Sequence, residues 1–303
     1  MKSNFSHIGL AKLCGWFGIT RQAYYQNDRH EEISAMKEDL IIREVKVIRA
    51  KHPRMGTRKL FTMLEPLLAS HHIKMGRDAL FTMLSSNSLL VRKRKRRIQT
   101  TQSFHWLRKY PNLIKDFIPT GINQLWVSDI TYWKVNDRHL YLNFITDAFS
   151  HKIVGYNPGE TLEAVESLQA LRMALSALGA ESHPQLIHHS DRGLQYCSHV
   201  YVDLLKKYDI QISMTENGNP RENAVAERVN GIIKEEYLEN YKFTSMTQAK
   251  QFIKSRVDLY NNERPHMSIS NLTPTQIHKP GLPVQTKRLW KNYYPKSPIV
   301  NQF

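Results

Sequence analysis

Asp129, Asp191 and Glu227 have the residue type and spacing that metal-assisted phosphoryl transfer requires. Asp129 closes one apolar run and Asp191 closes another, while Glu227 falls on the polar stripe of an expected helix with 35 residues between it and Asp191. Carboxylate oxygens are hard ligands, and three of them can hold two magnesium ions about 4 Å apart on a scissile phosphate. The expectation is that Asp129 bridges both ions while Asp191 and Glu227 each complete one, with Mn2+ able to substitute for Mg2+. In-line displacement at phosphorus needs no covalent enzyme intermediate, and the chain shows no clear nucleophile motif.

Each acid taken alone has a plainer reading. Asp129 follows Leu125, Trp126 and Val127 and precedes Ile130, so it interrupts a strand that otherwise reads as buried on both faces. An unpaired charge there costs several kcal/mol, which calls for a metal, a salt bridge or a capping role. Asp191 stands in HHSDRGLQY before Arg192-Gly193; this is an ordinary turn, but also the strand end at which α/β sheets gather ligands. Around Glu227, Val225, Val229, Ile232 and Ile233 define an apolar face, and Asn223, Glu227, Asn230 and Lys234 line the opposite one. Its plain reading is a solvated helix face. Glu222, Glu235 and Glu236 fall at the helix entry or near its apolar edge. His188 and His189 invite a zinc site, yet no further His or Cys stands at suitable short spacing, which favours packing or phosphate-adjacent roles.

The elements that must position these acids follow from periodicity. Strands are expected over 124–133, 139–146 and 152–156, a helix over 162–178, a strand over 186–190, a helix over 200–208, a strand over 210–214 and a helix from Asn223. Strands first in antiparallel order and then alternating with helices describe a mixed sheet flanked by helices. Upstream, Leu10, Leu13 and Phe17 share a face, Gly18 permits a turn and Thr20 can cap RQAYYQ. That is a helix-turn-helix candidate in which Arg21 and Gln22 would meet DNA. Further helices are expected around 40–48, from a capping Thr57 through Leu68, and over 78–84, followed by a short strand over 89–91. Five parts result: a helix-turn-helix-like segment (1–30), a helical DNA-binding domain with a basic tail (31–97), a linker (98–123), a catalytic core (124–240) and a helical C-terminal extension (241–303).

Charge separates the first third from the rest. The chain has 303 residues and formal net charge +16. Residues 1–110 hold 22 Lys and Arg against 8 Asp and Glu, and residues 111–303 hold 21 against 19. Such concentration points to a dedicated nucleic-acid face. Its densest part is Arg92, Lys93, Arg94, Lys95, Arg96 and Arg97, which reads as a solvated linker or as a phosphate-neutralising arm. Only Cys14 and Cys197 are present, too few for a disulfide framework, which suggests a reducing cytoplasm. No long apolar run or signal-like N-terminus supports a membrane span.

The segments DIT from 129, HSDRGLQY at 189–196, NAVAERVNGIIKEEY at 223–237 and YNNERPHMSISNLTP at 260–274 resemble the DDE-type transposases of bacterial insertion sequences. They are nearest the second-frame, OrfB-like subunits. The resemblance implies a ribonuclease H-like integrase core preceded by the helical DNA-binding region, with Asp129, Asp191 and Glu227 as the metal-binding triad and Lys234 as a DNA contact. It also implies double-stranded DNA at element ends and target as substrate, a homo-oligomer on DNA, and a first-frame, OrfA-like partner or fusion. The setting would be bacterial cytoplasm, at the nucleoid when DNA is bound. Arg221 stands where relatives often carry an aromatic residue, and the zinc module of retroviral integrases is absent. The competing readings are a nuclease of the same fold and a DNA-binding repressor without catalysis.

Overall fold

Gly18, in the left-handed region at φ +65°, turns the chain between the first two helices of a computed structural model that describes residues 7–91, 106–179, 182–216 and 223–280. The first helix, α1 (Leu10–Trp16), buries Leu13 and Cys14, whereas Phe17 is exposed rather than sharing their packed face. The Thr20 hydroxyl accepts from Ala23 N at 3.0 Å, so it caps α2 as expected. The helix it starts is far longer than the sequence suggests. α2 (Arg21–Lys51) is continuous through the segments read as two separate helices, and the boundary expected at residue 30 falls inside it. It packs only through its C-terminal half, on Ile41, Ile42, Val45 and Ile48.

α3 (Thr57–Ser70) and α4 (Arg77–Ser86) bury Leu60, Leu64 and Leu68, and Leu80 and Leu84. Gly56 holds the N-cap position of α3 and Thr57 is its buried first residue, which corrects the expected cap. Residues 89–91 form no strand: Leu89 N returns to Leu84 O at 2.7 Å, closing the end of α4, and its carbonyl accepts from Arg49. The described residues up to Val91, apart from His52–Met55, form one compact unit. The six cations at 92–97 lie outside the described residues.

The second unit is built on a five-stranded sheet in the order β3-β2-β1-β4-β5. β1 (Leu125–Val135), β2 (Arg138–Asp147) and β3 (Ile153–Gly159) pair antiparallel, and β4 (Ile187–Ser190) and β5 (Gln211–Met214) continue the sheet in parallel from β1. This is the ribonuclease H-like mixed sheet that the sequence implied. α5 (Ala164–Leu178), the short α6 (Leu194–Cys197) and α7 (His199–Lys207) cover one face, where Trp126 and Ile145 meet Leu171, Leu175, Tyr201 and Leu205. The helix expected from residue 162 begins at Ala164, so Leu162 lies before it; Leu162 and Val165 are exposed, and α5 buries Ala170 and Ala174 beside its leucines.

The opposite face is covered by α8 (Ala224–Ile232), a π-helical turn (Ile233–Leu238) and α9 (Met246–Asn262), whose Val229, Ile232, Ile253 and Val257 meet Trp133, Leu142 and Phe144. A terminal α10 (Pro274–Ile277) is opened by a Thr273–Gln276 capping box. Small residues let α5 approach β3. A Cβ at Gly155 would stand 2.2 Å from Ala170 O and 2.9 Å from Ala174 Cβ. Because backbone is the obstacle, Gly155→Ala is expected to destabilise the core by about 2 kcal/mol or more, read as a lowered denaturation midpoint. An unchanged midpoint would show that the helix yields freely.

Candidate active site

The parallel register of β1 and β4 pairs Ser128 with Ser190. The next position on each strand is an acid, so Asp129 and Asp191 sit side by side at the carboxyl end of β4. Residues alternate faces along a strand, which directs Asp129 to the side covered by α8. There the helix presents Glu227 and, one turn later, Asn230. Asn230 Nδ2 donates to Asp129 Oδ2 at 2.8 Å, and Ile130 N donates to Oδ1 at 2.9 Å. Asn223 ties the start of α8 to β1 by donating to Ser128 O at 2.8 Å, and Asp191 Oδ1 accepts from Gly193 N at 3.0 Å.

Electrostatics mark Asp129 as the centre. Burial, then the neighbouring Asp191 and Glu227 carboxylates, push its carboxyl up to about 8, against the lowering effect of its two hydrogen bonds. Glu227 is likewise raised by burial. The three acids therefore feel one another through Asp129, but among the described residues no three His, Cys, Asp or Glu side chains stand close enough to share one metal ion. Residues 217–222, which lead into α8, lie outside the described part. The donor set nonetheless fits a hard cation. It gathers carboxylate oxygens around a buried acid whose ionisation is suppressed, beside the amide oxygens of Asn223 and Asn230, which are buried without a hydrogen-bond partner among the described residues.

The stripe Asn223, Glu227, Asn230, Lys234 is thus an inner face, since Asn223 and Asn230 are buried and Glu227 and Lys234 half-buried. The sequence placed all four on one side but gave no reason to turn that side inward. Lys234 Nζ lies 4.1 Å from the centroid of the Tyr132 ring. Arg21 and Gln22 are exposed in the first turn of α2, in the other unit.

His188 and His189 are packing residues. Ser128 Oγ and Tyr201 OH both lie against His188 Nε2, at 2.8 and 2.9 Å, and His189 Nδ1 meets Ser213 Oγ at 2.8 Å. Burial first, and then His189, lower His188 to about 3, so it is neutral and its outward nitrogen is engaged. Asp147 is a buried acid that the sequence did not single out. It accepts from Asn123 N and from Ser150 N and Oγ within 2.8 Å, so it pins the turn after β2.

Residues 119–220 match the integrase core domain family, and residues 208–274 match a second family of the same description. The chain is 34% identical over 271 residues to the insertion element IS600 uncharacterized 31 kDa protein of Shigella sonnei, covering 88% of this chain and 97% of that one. It is 27% identical to the transposase for insertion sequence element IS629 of Shigella sonnei, covering 89% and 92%. It is 34% identical to the transposase for IS904 of Lactococcus lactis, covering 56% and 67%. Among solved structures, the HTLV-2 integrase catalytic core in complex with magnesium aligns at TM-score 0.42 and 23% identity, covering 53% of this chain and 99% of that one.

The family matches define an integrase-core polynucleotidyl transferase. The chain belongs to the family of insertion-sequence transposases with an integrase core domain.

Proposed function

We propose that this chain cuts and joins DNA at the ends of an insertion sequence, with Asp129, Asp191 and Glu227 holding the magnesium ions that the reaction needs. The observation that carries the reading is the matched placement of Asp129 and Asp191 on adjacent parallel strands, with Glu227 and Asn230 brought to Asp129 from α8. Bound divalent ions would supply Lewis acidity at the phosphate and a lowered pKa for the attacking water or 3′-hydroxyl. The protein's part is to hold the ligands. Asn230 fixes the outer oxygen of Asp129, Gly193 N orients Asp191, and the Asn223–Ser128 bond sets where α8 begins. Lys234 places a cation over Tyr132, three residues along β1 from Asp129, suited to a DNA phosphate.

Arg21, Gln22 and the basic run Arg92–Arg97 are assigned to DNA binding on their charge and position. The domain boundaries given above are retained, with α2 spanning the first of them. Two DNA ends must be joined together, so a homo-oligomer on DNA is expected, and a first-frame partner or fusion is part of the proposal. No described helix is long and apolar enough to cross a membrane. Action on the nucleoid in bacterial cytoplasm follows from the DNA substrate.

The test is incubation of the full chain with element-end DNA and Mg2+, with products resolved by gel. Joined strands support the proposal, cleavage without joining makes the chain a nuclease, and footprinting without breakage makes it a repressor.

A pH dependence follows from Asp129. A carboxyl whose folded-state value lies near 8, above its ordinary value, keeps its proton in the folded chain while the unfolded chain loses it. Stability of the metal-free protein therefore falls as pH rises from about 4 toward 8. Metal binding must displace that proton, so Mg2+ affinity rises with pH up to about 8. The Mg2+-induced gain in melting temperature is expected to grow between pH 6 and 8.5, and Asp129→Asn is expected to abolish the growth. A gain that does not change with pH overturns the assignment of Asp129.

A further inference from the structure

β4 pairs with β1 only from Leu125 to Ser128, yet β1 continues to Val135, so beyond Asp129 this edge of the strand has no neighbouring strand among the described residues. Lys234 reaches across that edge onto Tyr132. Tyr132 is 50% exposed although it lies on a strand in the middle of the sheet. On this face α5 meets β2 at Asn143, which is opposite Ile130 and accepts from Ser167 Oγ at 2.6 Å, and one row further its Glu166 lies over Gly159 of β3, two strands away from Tyr132. The remainder of the same face is aromatic and cationic. Tyr141 lies opposite Tyr132, and His139 lies opposite Lys134. The Tyr132 and His139 rings meet edge to face at 5.5 Å, and His139 and Tyr141 follow at 6.5 Å. Lys134 and His139 are exposed, and Asp137 pairs with Lys134 at 4.0 Å at the far end of the row.

We infer that this row is a binding site for unpaired nucleotides of the DNA strand whose phosphate lies at Asp129. The inference rests on the proposed function only for where that strand leads. Rings that project from a sheet, interleaved with lysines, suit bases and phosphates respectively. Three residues along an extended strand span about 10 Å, roughly the length of three stacked nucleotides at about 3.4 Å each. A strand opened at the reacting phosphate therefore finds the first ring within reach. The Lys234 ammonium is held over Tyr132 by attraction to the ring, which orders a cation beside the phosphate that enters the row. Unpaired DNA is favoured over duplex because only splayed bases expose the flat faces that rings accept.

The experiment measures binding by the full-length chain in EDTA, so chemistry does not contribute. One probe is an element end with a three-nucleotide single-stranded extension containing 2-aminopurine, and the other is the blunt duplex. The unaltered protein should bind the extended end more tightly and quench its fluorescence. Tyr132→Ala should weaken binding to the extended end by about fivefold or more and remove the quenching, with blunt-end binding nearly unchanged, while Tyr132→Phe keeps both. Tyr132→Thr, which suits a strand, replaces the alanine variant should that one melt early. Lys234→Gln should reduce the salt slope by about 0.7. An extended-to-blunt affinity ratio equal to that of the unaltered chain in the folded variant overturns the site. Asp129→Asn should keep the ratio while losing strand transfer, so failure of the catalytic proposal is read separately.

Discussion

Asp191→Asn and Glu227→Gln should each lower magnesium-dependent strand transfer by about a thousandfold or more, while binding of element ends stays within a few-fold of the unaltered chain. The size follows from what a bound ion contributes, several kcal/mol of transition-state stabilisation, with each 1.36 kcal/mol worth a factor of ten. Both substitutions keep shape and remove the anionic oxygen on which a hard cation depends. Asp191 retains its turn through an amide oxygen able to accept from Gly193 N. Glu227 is half-buried on an otherwise well-packed helix, so its replacement leaves the fold standing. Full activity in either variant, measured as joined product per unit time with Mg2+, would remove that residue from the site.

Arg264→Met should produce the largest loss of stability. Arg264 is 1% exposed, and its guanidinium donates twice to Glu236, at 2.8 and 2.7 Å, with Nη1 3.0 Å from His266 Nε2. Removing the cation strands the Glu236 carboxylate in a pocket with little water. Breaking one side of a buried pair costs about 3–5 kcal/mol, whereas replacing both sides with apolar groups is often close to neutral. The single variant is therefore expected to melt about 10 °C lower, and Arg264→Met with Glu236→Met to recover most of that. A single variant that melts within about 2 °C of the parent would show that the pair is solvated.

That result would also explain a stretch of sequence whose purpose was not visible beforehand. YNNERPHMSISNLTP pointed to the family, but no residue in it looked chemical. In the fold it is a clasp. Asn261 bonds both the N–H and the carbonyl of Ile153 at 3.0 Å, Tyr260 OH donates to His151 O, and Arg264 grips the turn after α8. Such long-range pairings leave no periodic trace.

The sheet itself was legible because its strands alternate or run apolar between clear turns, and the two Asp residues were legible because each breaks such a run. α2 was not. Between Gln26 and Asp39 the sequence lacks an apolar stripe and reads as connection, yet it contains no Gly or Pro and carries local pairs at helical spacing, such as Asn27 with Glu31 and Asp39 with Arg43. Those pairs support a stretch of helix that itself buries almost nothing. The short strand expected at 89–91 failed for the opposite reason. Its apolar residues follow Ser88 at φ +55°, a left-handed bend that closes a helix and starts no ladder. The inward turn of the α8 stripe was hidden because polarity does not distinguish water from a buried carboxylate.

The π-helical turn after Ile232 has a consequence for how this chain can change. A wide turn contains one residue more than an α-helical turn of the same length. Glu227 lies before that wide turn, and Glu236 and Tyr237 lie within it. Deleting one residue there would restore a regular helix and leave the segments on either side facing as they do now, because the wide turn is what absorbs the surplus. A one-residue deletion across 233–238 should therefore be tolerated better than a one-residue insertion, which has no further wide turn to take it up.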